Sequence, residues 1–440
     1  MLTIKGKAAA FCDGVSRRGF LKAGLLSAGG LTLAEVLRHR AAAVEAGTVV
    51  NNHSVIFLEM AGGPTQFETY DPKPDAPIEC RGPLQPIQTN TPGVILSEYM
   101  AEQSKIVDKL AIVRSIHHNS NSHDPSSHLS QTGYYKSGPK GGPNQMPCFG
   151  SIAAKFRGPN DPSLPPYVAV PQIMRNGQSA QLGKSFNPFE TIADPNDPKH
   201  DVRNLSLTGG LTVSRLADRR GLLSTLDRKR RMLDLSGSAD SLDQFTQRAF
   251  DLVSGAKARA AFDINSEDTK LRDAYGRNTV GQSMLLARRL VGAGVTCVTV
   301  RVTGWDDHNK IAAGILAKGP NYDRGVAALI TDLYDRGMEK DVLVVSMGEF
   351  GRTPRINKNA GRDHWGAVMS VMLAGGGLQT GVVGASNSKG EVPVNNAYRP
   401  ENVLATMYRH LGIDPAWTFD DLSGRPRYIL ERSEVIRELV

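Results

Sequence analysis

Six short runs of apolar, β-favouring residues recur along this chain, at 55–58, 110–113, Tyr167–Val170, 295–302, 342–345 and 368–374. Each is apolar at successive positions instead of alternating. A strand apolar on both faces must be covered on both faces, which predicts a mostly parallel sheet between helices. Helical periodicity fills the intervals at 211–233, 242–254, 280–293 and 322–336, and the last two stretches end at Gly294 and Gly337 just before a strand. This order is the signature of an α/β fold. Between about 200 and 277 the chain is charged and helical without a strand, which predicts a helical insertion resting on the sheet. Segments 72–93 and 136–166, dense in Pro and Gly, read as ordered surface loops. Residues 47–440 read as one domain.

The first 46 residues read as an address. Ser16-Arg17-Arg18-Gly19-Phe20-Leu21-Lys22 matches a twin-arginine export signal, an Ala-, Gly- and Leu-rich stretch follows at 23–36, and Ala41-Ala42-Ala43 offers a cleavage site. The apolar stretch is short and Gly-rich for a membrane span. The expected partner is the twin-arginine export machinery and the expected place the periplasm or cell envelope, with membrane attachment only through an uncleaved leader. That route carries folded proteins, so a metal can be loaded before export. The leader also explains part of the charge. Lys+Arg 52 against Asp+Glu 44 gives a formal +8, but seven of the basic and three of the acidic residues lie within the first 46. No basic stripe interleaved with aromatics occurs, and Arg228-Lys229-Arg230-Arg231 falls in a helical pattern, so nucleic-acid binding is not expected. Beyond Cys12, in the leader, three cysteines remain: Cys297 in an apolar run, expected in the core, and Cys80 and Cys148, able to pair or stay free. No Cys-x-x-Cys spacing exists, which argues against a thiolate zinc site.

In an open parallel sheet the ligand site lies beyond the carboxyl ends of the strands. Residues after the apolar runs are here rich in Asp, Glu and His. Trp305-Asp306-Asp307-His308 follows one run; Gly348-Glu349-Phe350-Gly351-Arg352 follows the next, with Gly361-Arg362-Asp363-His364-Trp365 beyond it. After 110–113 come His117-His118 and then His123-Asp124-Pro125-Ser126-Ser127-His128. These windows hold six of the ten histidines. Imidazole with carboxylate is the donor mix of zinc, manganese or iron. Asp306, His308 and His364 are the leading metal ligands, His123 is the next candidate, and His117, His118 and His128 read as structural. Arg352 is a candidate oxyanion contact.

With the leader and Phe57-Leu58-Glu59-Met60-Ala61-Gly62-Gly63-Pro64-Thr65, these motifs resemble the exported family catalogued as domain of unknown function fifteen-zero-one, over essentially the whole chain. That family is similar to the alkaline phosphatase and sulfatase superfamily. The resemblance implies an α/β sheet core and, in active members, two metal ions flanking a nucleophile. Asp306, His308 and His364 match the half-site in which an Asp and a His follow one strand and another His lies beyond the next. The second half-site departs from the pattern: the expected Asp-His-Gly reads Glu349-Phe350-Gly351. An alternative alignment takes Asp363-His364 as that pair; the first is preferred because Glu349 directly follows its strand. His123-Asp124-Pro125-Ser126-Ser127 with Thr132-Gly133 falls in the register of the sulfatase nucleophile motif, which puts His123 at the reactive position and excludes the modified Cys. Thr65 is a second candidate hydroxyl. The first-strand carboxylate lies among Glu59, Glu68 and Asp71.

The expectation is an exported metal-dependent hydrolase of phosphate or sulfate esters. Asp306, His308 and His364 hold a divalent ion, zinc or manganese or else calcium. Glu349 and His123 supply a second, weaker site or a general base, and Arg352 stabilises the oxyanion. The alternative is a degenerate relative that keeps one structural metal and binds a glycan or protein through its Gly/Pro-rich loops.

Overall fold

The computed structural model describes residues 52–137, 141–198, 200, 255–421 and 423–440. The twin-arginine motif and the helical patterns at 211–233 and 242–254 lie outside them. Eight strands form one sheet: β1 (Ser54–Met60), β2 (Leu110–Ile116), β3 (Tyr167–Val170), β4 (Phe189–Glu190), β5 (Cys297–Val302), β6 (Val342–Met347), β7 (Met369–Gly375) and β8 (Gly381–Val383). Their order is β8-β2-β7-β6-β1-β5-β3-β4. All six predicted runs are strands of this sheet.

Both faces are covered. Ile56 and Leu58 of β1 pack with Leu286 and Leu290 of α3 (Thr279–Ala293) and with Val326 and Leu329 of α4 (Ile311–Asp335). Val55 and Phe57 point the other way, into a second core with Phe149 and Ile152 of α2 (Phe149–Phe156) and Val403 and Met407 of α5 (Pro400–His410). One strand therefore feeds two cores by its period of two. The described part of the expected insertion is helical at Ala256–Phe262 and Thr269–Tyr275, and Ala258 and Phe262 are buried against the first core.

Two expectations are corrected. The Pro/Gly-rich segment 136–166 holds a buried helix, α2, and 72–93 holds a short helix, Ile78–Arg81, and a strand, Pro86–Gln88. The helix expected over 322–336 begins eleven residues earlier, at Ile311, and runs through Pro320; the carbonyl that Pro320 leaves without a donor belongs to Leu316, which is exposed to solvent. The sheet is mixed. β7 runs antiparallel to β2 and β6, while every other pairing is parallel. Cys80, Cys148 and Cys297 are all buried and free. Among the described residues no helix is long and apolar enough to cross a membrane.

The reversal of β7 positions the site. Because it enters the sheet at the edge where β1, β2, β5 and β6 leave it, the segment just ahead of β7 lies on the same rim as the loops after those strands. His364 is carried there on an antiparallel ribbon, Gly351–Arg352 against His364–Trp365.

Candidate metal centre

Asp306 and His308 follow β5, Glu349 follows β6, His123 opens α1 (His123–Thr132) in the connection after β2, and His364 precedes β7. The rim brings them together. His308 Nε2 lies 2.9 Å from His364 Nε2, and each lies 3.1 Å from Asp306 Oδ1. Both rings are fixed from behind: His308 Nδ1 is 2.8 Å from Asp363 Oδ1, and His364 Nδ1 is 2.9 Å from the Asn121 carbonyl. An Nδ1 that faces an acceptor carries the proton, which leaves the Nε2 lone pair of a neutral ring pointing inward. Two imidazole lone pairs and a carboxylate oxygen thus form a triangle with edges near 3 Å. Ligands about 2.0–2.1 Å from a tetrahedral ion stand roughly 3.3 Å apart, so the triangle fits one face of such a site.

Arg352 sets the orientation of Asp306. Its guanidinium is fully buried, with Nη2 donating to Asp306 Oδ1 at 2.5 Å and to the Trp305 and Gly62 carbonyls, Nε to the Gly63 carbonyl, and Nη1 to the Arg362 carbonyl. Partial burial works to raise the Asp306 pKa, but the Arg352 contact overrides it and holds the carboxyl well below the usual range. Two glycines allow these loops to approach. Gly62 has φ +117°, and a Cβ there would lie 2.6 Å from Asp306 N; a Cβ on Gly361 would lie 2.1 Å from the His308 carbonyl carbon.

His123 sits on a second edge of the cluster. Its Nδ1 is 2.7 Å from Glu349 Oε1 and its Nε2 is 3.2 Å from Asp306 Oδ2. One ligand atom each from His123, Asp306 and His364 also lies within 4.8 Å of the others. The Glu349 contact raises the His123 pKa, against the effect of burial. Glu349 itself accepts from the Gly62 N–H at 3.1 Å on both oxygens. Phe350 is buried beneath, its ring 4.4 Å from that of His364 and 5.1 Å from that of His123.

Several expected roles are corrected by this geometry. Arg352 is no free oxyanion contact, because its donors are spent on Asp306 and four carbonyls. Thr65 is 1% exposed and its hydroxyl donates to Glu68, so it presents no nucleophile to the rim. Asp363 stands behind His308 as its orienting partner and not among the inward-facing atoms. None of the three first-strand carboxylates joins the histidines. Glu68 is buried against Arg362, with Oε1 2.7 Å from Nη2. Asp71 pairs with Lys73 at 3.0 Å and accepts from Ser386. Glu59 accepts from Gln131 and faces Arg301, and burial pushes its pKa up to about 8. His117, His118 and His128 stay outside the triangle; His118 Nε2 is held by the Glu349 carbonyl and His128 Nδ1 by that of Tyr134.

The cluster opens on a cleft of about 850 Å³ lined by Asn121, His123, Asp124, Asn144, Arg175 and His364 among others. Arg175 went unnoticed in the sequence. It follows β3, a strand whose carboxyl end is on this rim, but no His or acid beside it drew notice.

The sequence matches, over residues 52–440, the family described as Protein of unknown function (DUF1501). The chain belongs to this family. No curated protein matches this member of it. Solved structures similar to it include Ps i-CgsB, at 12% identity with 82% of this chain and 72% of that one covered and a TM-score of 0.40. PsFucS1 sulfatase from Pseudoalteromonas sp. is 10% identical over 92% of this chain and 75% of that one, with a TM-score of 0.39. Phosphonate monoester hydrolase SpPMH from Silicibacter pomeroyi is 10% identical over 83% and 74%, with a TM-score of 0.36.

Proposed function

We propose that this DUF1501 protein is an exported metal-dependent hydrolase of phosphate or sulfate esters that works with one tightly held divalent ion. The observation that carries this reading is the triangle of lone pairs from Asp306, His308 and His364, each fixed by a partner outside it. Three acceptors at 2.9–3.1 Å repel one another unless a cation or a proton lies between them. Zinc or manganese suits the donor set. Such an ion acts as a Lewis acid towards an ester oxygen.

The chain's own groups supply the rest. Arg352 fixes Asp306, and the Gly62 N–H fixes Glu349. Glu349 in turn favours the charged form of His123, whose ring lines the cleft. A charged His123 can give a proton to the leaving alcohol and, once neutral, take one back from water, which is general acid and base work. Neither candidate hydroxyl reaches the site: Thr65 is buried, and Ser126 is 0% exposed with its hydroxyl on Ser120. The reading is therefore direct attack by water, with no phospho-enzyme or sulfo-enzyme intermediate.

That same gap favours the second reading, a degenerate relative that keeps one ion and binds its ligand without turnover. Both readings keep export through the twin-arginine machinery. A panel of phosphate and sulfate esters, assayed on protein purified without chelator and on His308→Ala and His364→Ala, separates them. The hydrolase reading expects turnover that disappears in both variants along with the metal. Metal without turnover supports the second reading, and turnover in metal-free protein contradicts both.

A further inference from the structure

Among the described residues, every ionisable side chain that lines the cleft has a partner except one. Asp306 is paired with Arg352 and Glu349 with His123, and Asp363 accepts from the His308 ring. Asp124 is paired with Lys136 at 3.0 Å, and the same ammonium donates to the Gly142 carbonyl. Arg175, exposed on the cleft wall, makes no hydrogen bond and no ion pair with any described residue. Glu59, which senses its charge, is engaged instead with Arg301 and Gln131. Arg175 therefore carries into the cleft a positive charge that no ion pair with a described residue compensates.

Its backbone is nevertheless fixed. Met174 and Asn176 on either side are buried, and Asn176 Nδ2 donates to Ser127 Oγ at 2.8 Å and to Asp124. Asn144 Nδ2 closes the wall onto the Asn176 carbonyl at 2.5 Å. Holding a guanidinium unpaired on so anchored a segment keeps its five donors for a ligand. The surrounding donors are also unspent. Asn121 uses only Oδ1, towards Gly366 N–H, and the Gln178 amide makes no hydrogen bond with a described residue. Among the described residues no aromatic side chain other than the two imidazoles lines the cleft, so they offer amides to hydroxyls and no stacking face to a flat apolar group.

We infer that Arg175 is the anion-binding residue of this cleft, and that its ligand is a tetrahedral oxyanion ester of a polyhydroxylated alcohol, a sugar phosphate or a sulfated sugar. This rests on the proposed function for the ester's fate, but not for its binding. Arg175 would take oxyanion oxygens, the task that Arg352, with its donors spent, cannot perform. Asn121 and Gln178 would meet the hydroxyls.

The test is calorimetric titration of the full chain, as purified without chelator, with glucose 6-phosphate, glucose 6-sulfate, glucose and phenyl phosphate. The first two separate the sources of the oxyanion, and at least one is expected to bind. Glucose should not bind, and phenyl phosphate should bind more weakly. Arg175→Ala should raise Kd for the bound sugar ester at least tenfold, and Arg175→Lys should recover part of that loss. Metal content and melting temperature should not move, because the side chain is exposed. Unchanged Kd in Arg175→Ala, or glucose binding as tightly as its esters, overturns the inference even if turnover is found. Arg175-dependent binding without metal or turnover upholds it and sinks the hydrolase reading instead.

Discussion

His308 and His364 present their Nε2 atoms to each other at 2.9 Å, although 56 residues and two strands separate them in the chain. Each ring is turned inward by an acceptor behind it, Asp363 for one and the Asn121 carbonyl for the other. A cation between two such lone pairs offsets their mutual repulsion.

Asp363→Asn tests the outer part of that arrangement. The substitution keeps the size of the side chain but removes the charge that holds the Nδ1 proton of His308. Loss of such an orienting carboxylate costs about 10–100-fold in metal affinity. Competition titration against a metallochromic chelator should show that weakening with the fold intact. Unchanged affinity would place Asp363 outside the metal site.

Arg352→Met should destabilise the whole fold and not a transition state alone. The guanidinium joins carbonyls of the loops after β1 and β5 and of the ribbon carrying His364. Removing a fully buried charged partner of this kind costs on the order of 3 kcal/mol. Urea unfolding should show it even in metal-free protein. A loss of activity at wild-type stability would return Arg352 to the oxyanion role.

His410 predicts the response to acid. Burial lowers its pKa to about 4, and the stacked His53 adds to the effect; its Nε2 faces the Ser54 and Asp341 carbonyls. The ordinary value, held in the unfolded chain, is about 6.5. A folded-state pKa below the unfolded one contributes stability above pH 6.5 that is lost as pH falls towards 4, up to roughly 3 kcal/mol. Unfolding free energies from pH 7.5 to 4.5 should fall less steeply, by about one proton, in His410→Gln than in the wild type. Equal slopes would show that His410 does not titrate with unfolding.

The proposed export is tested within the first 46 residues, outside the described ones. Arg17→Lys with Arg18→Lys keeps the charge but removes the planar guanidinium pair. Precursor should accumulate in the cytoplasm. Unchanged delivery of folded protein would overturn the twin-arginine assignment.

The sheet was legible because strands such as 55–58 and 342–345 are apolar at every position, a pattern that demands two covered faces. The rim was legible for the same reason: Asp306, His308 and Glu349 directly follow such strands. What could not be read was direction and occupancy. The 368–374 run looks like its parallel neighbours, and only its reversed pairing shows why His364, which precedes it, reaches the same edge. Arg352 and Thr65 looked available because carbonyls and carboxylates that consume their hydrogen bonds arrive from up to 290 residues away, as Gly62 does for Arg352. Arg175 was passed over because a lone arginine carries no local signal of being unpaired. The helix Phe149–Phe156 was hidden by the Pro- and Gly-rich sequence around it.

Counting metal in the purified full chain, without chelator at any step, tests the central claim most directly. One ion per chain is expected in the wild type, absent from both His308→Ala and His364→Ala and retained in His123→Ala. Two tightly held ions, or an ion retained at full occupancy in both His308→Ala and His364→Ala, would contradict the single site built on Asp306, His308 and His364.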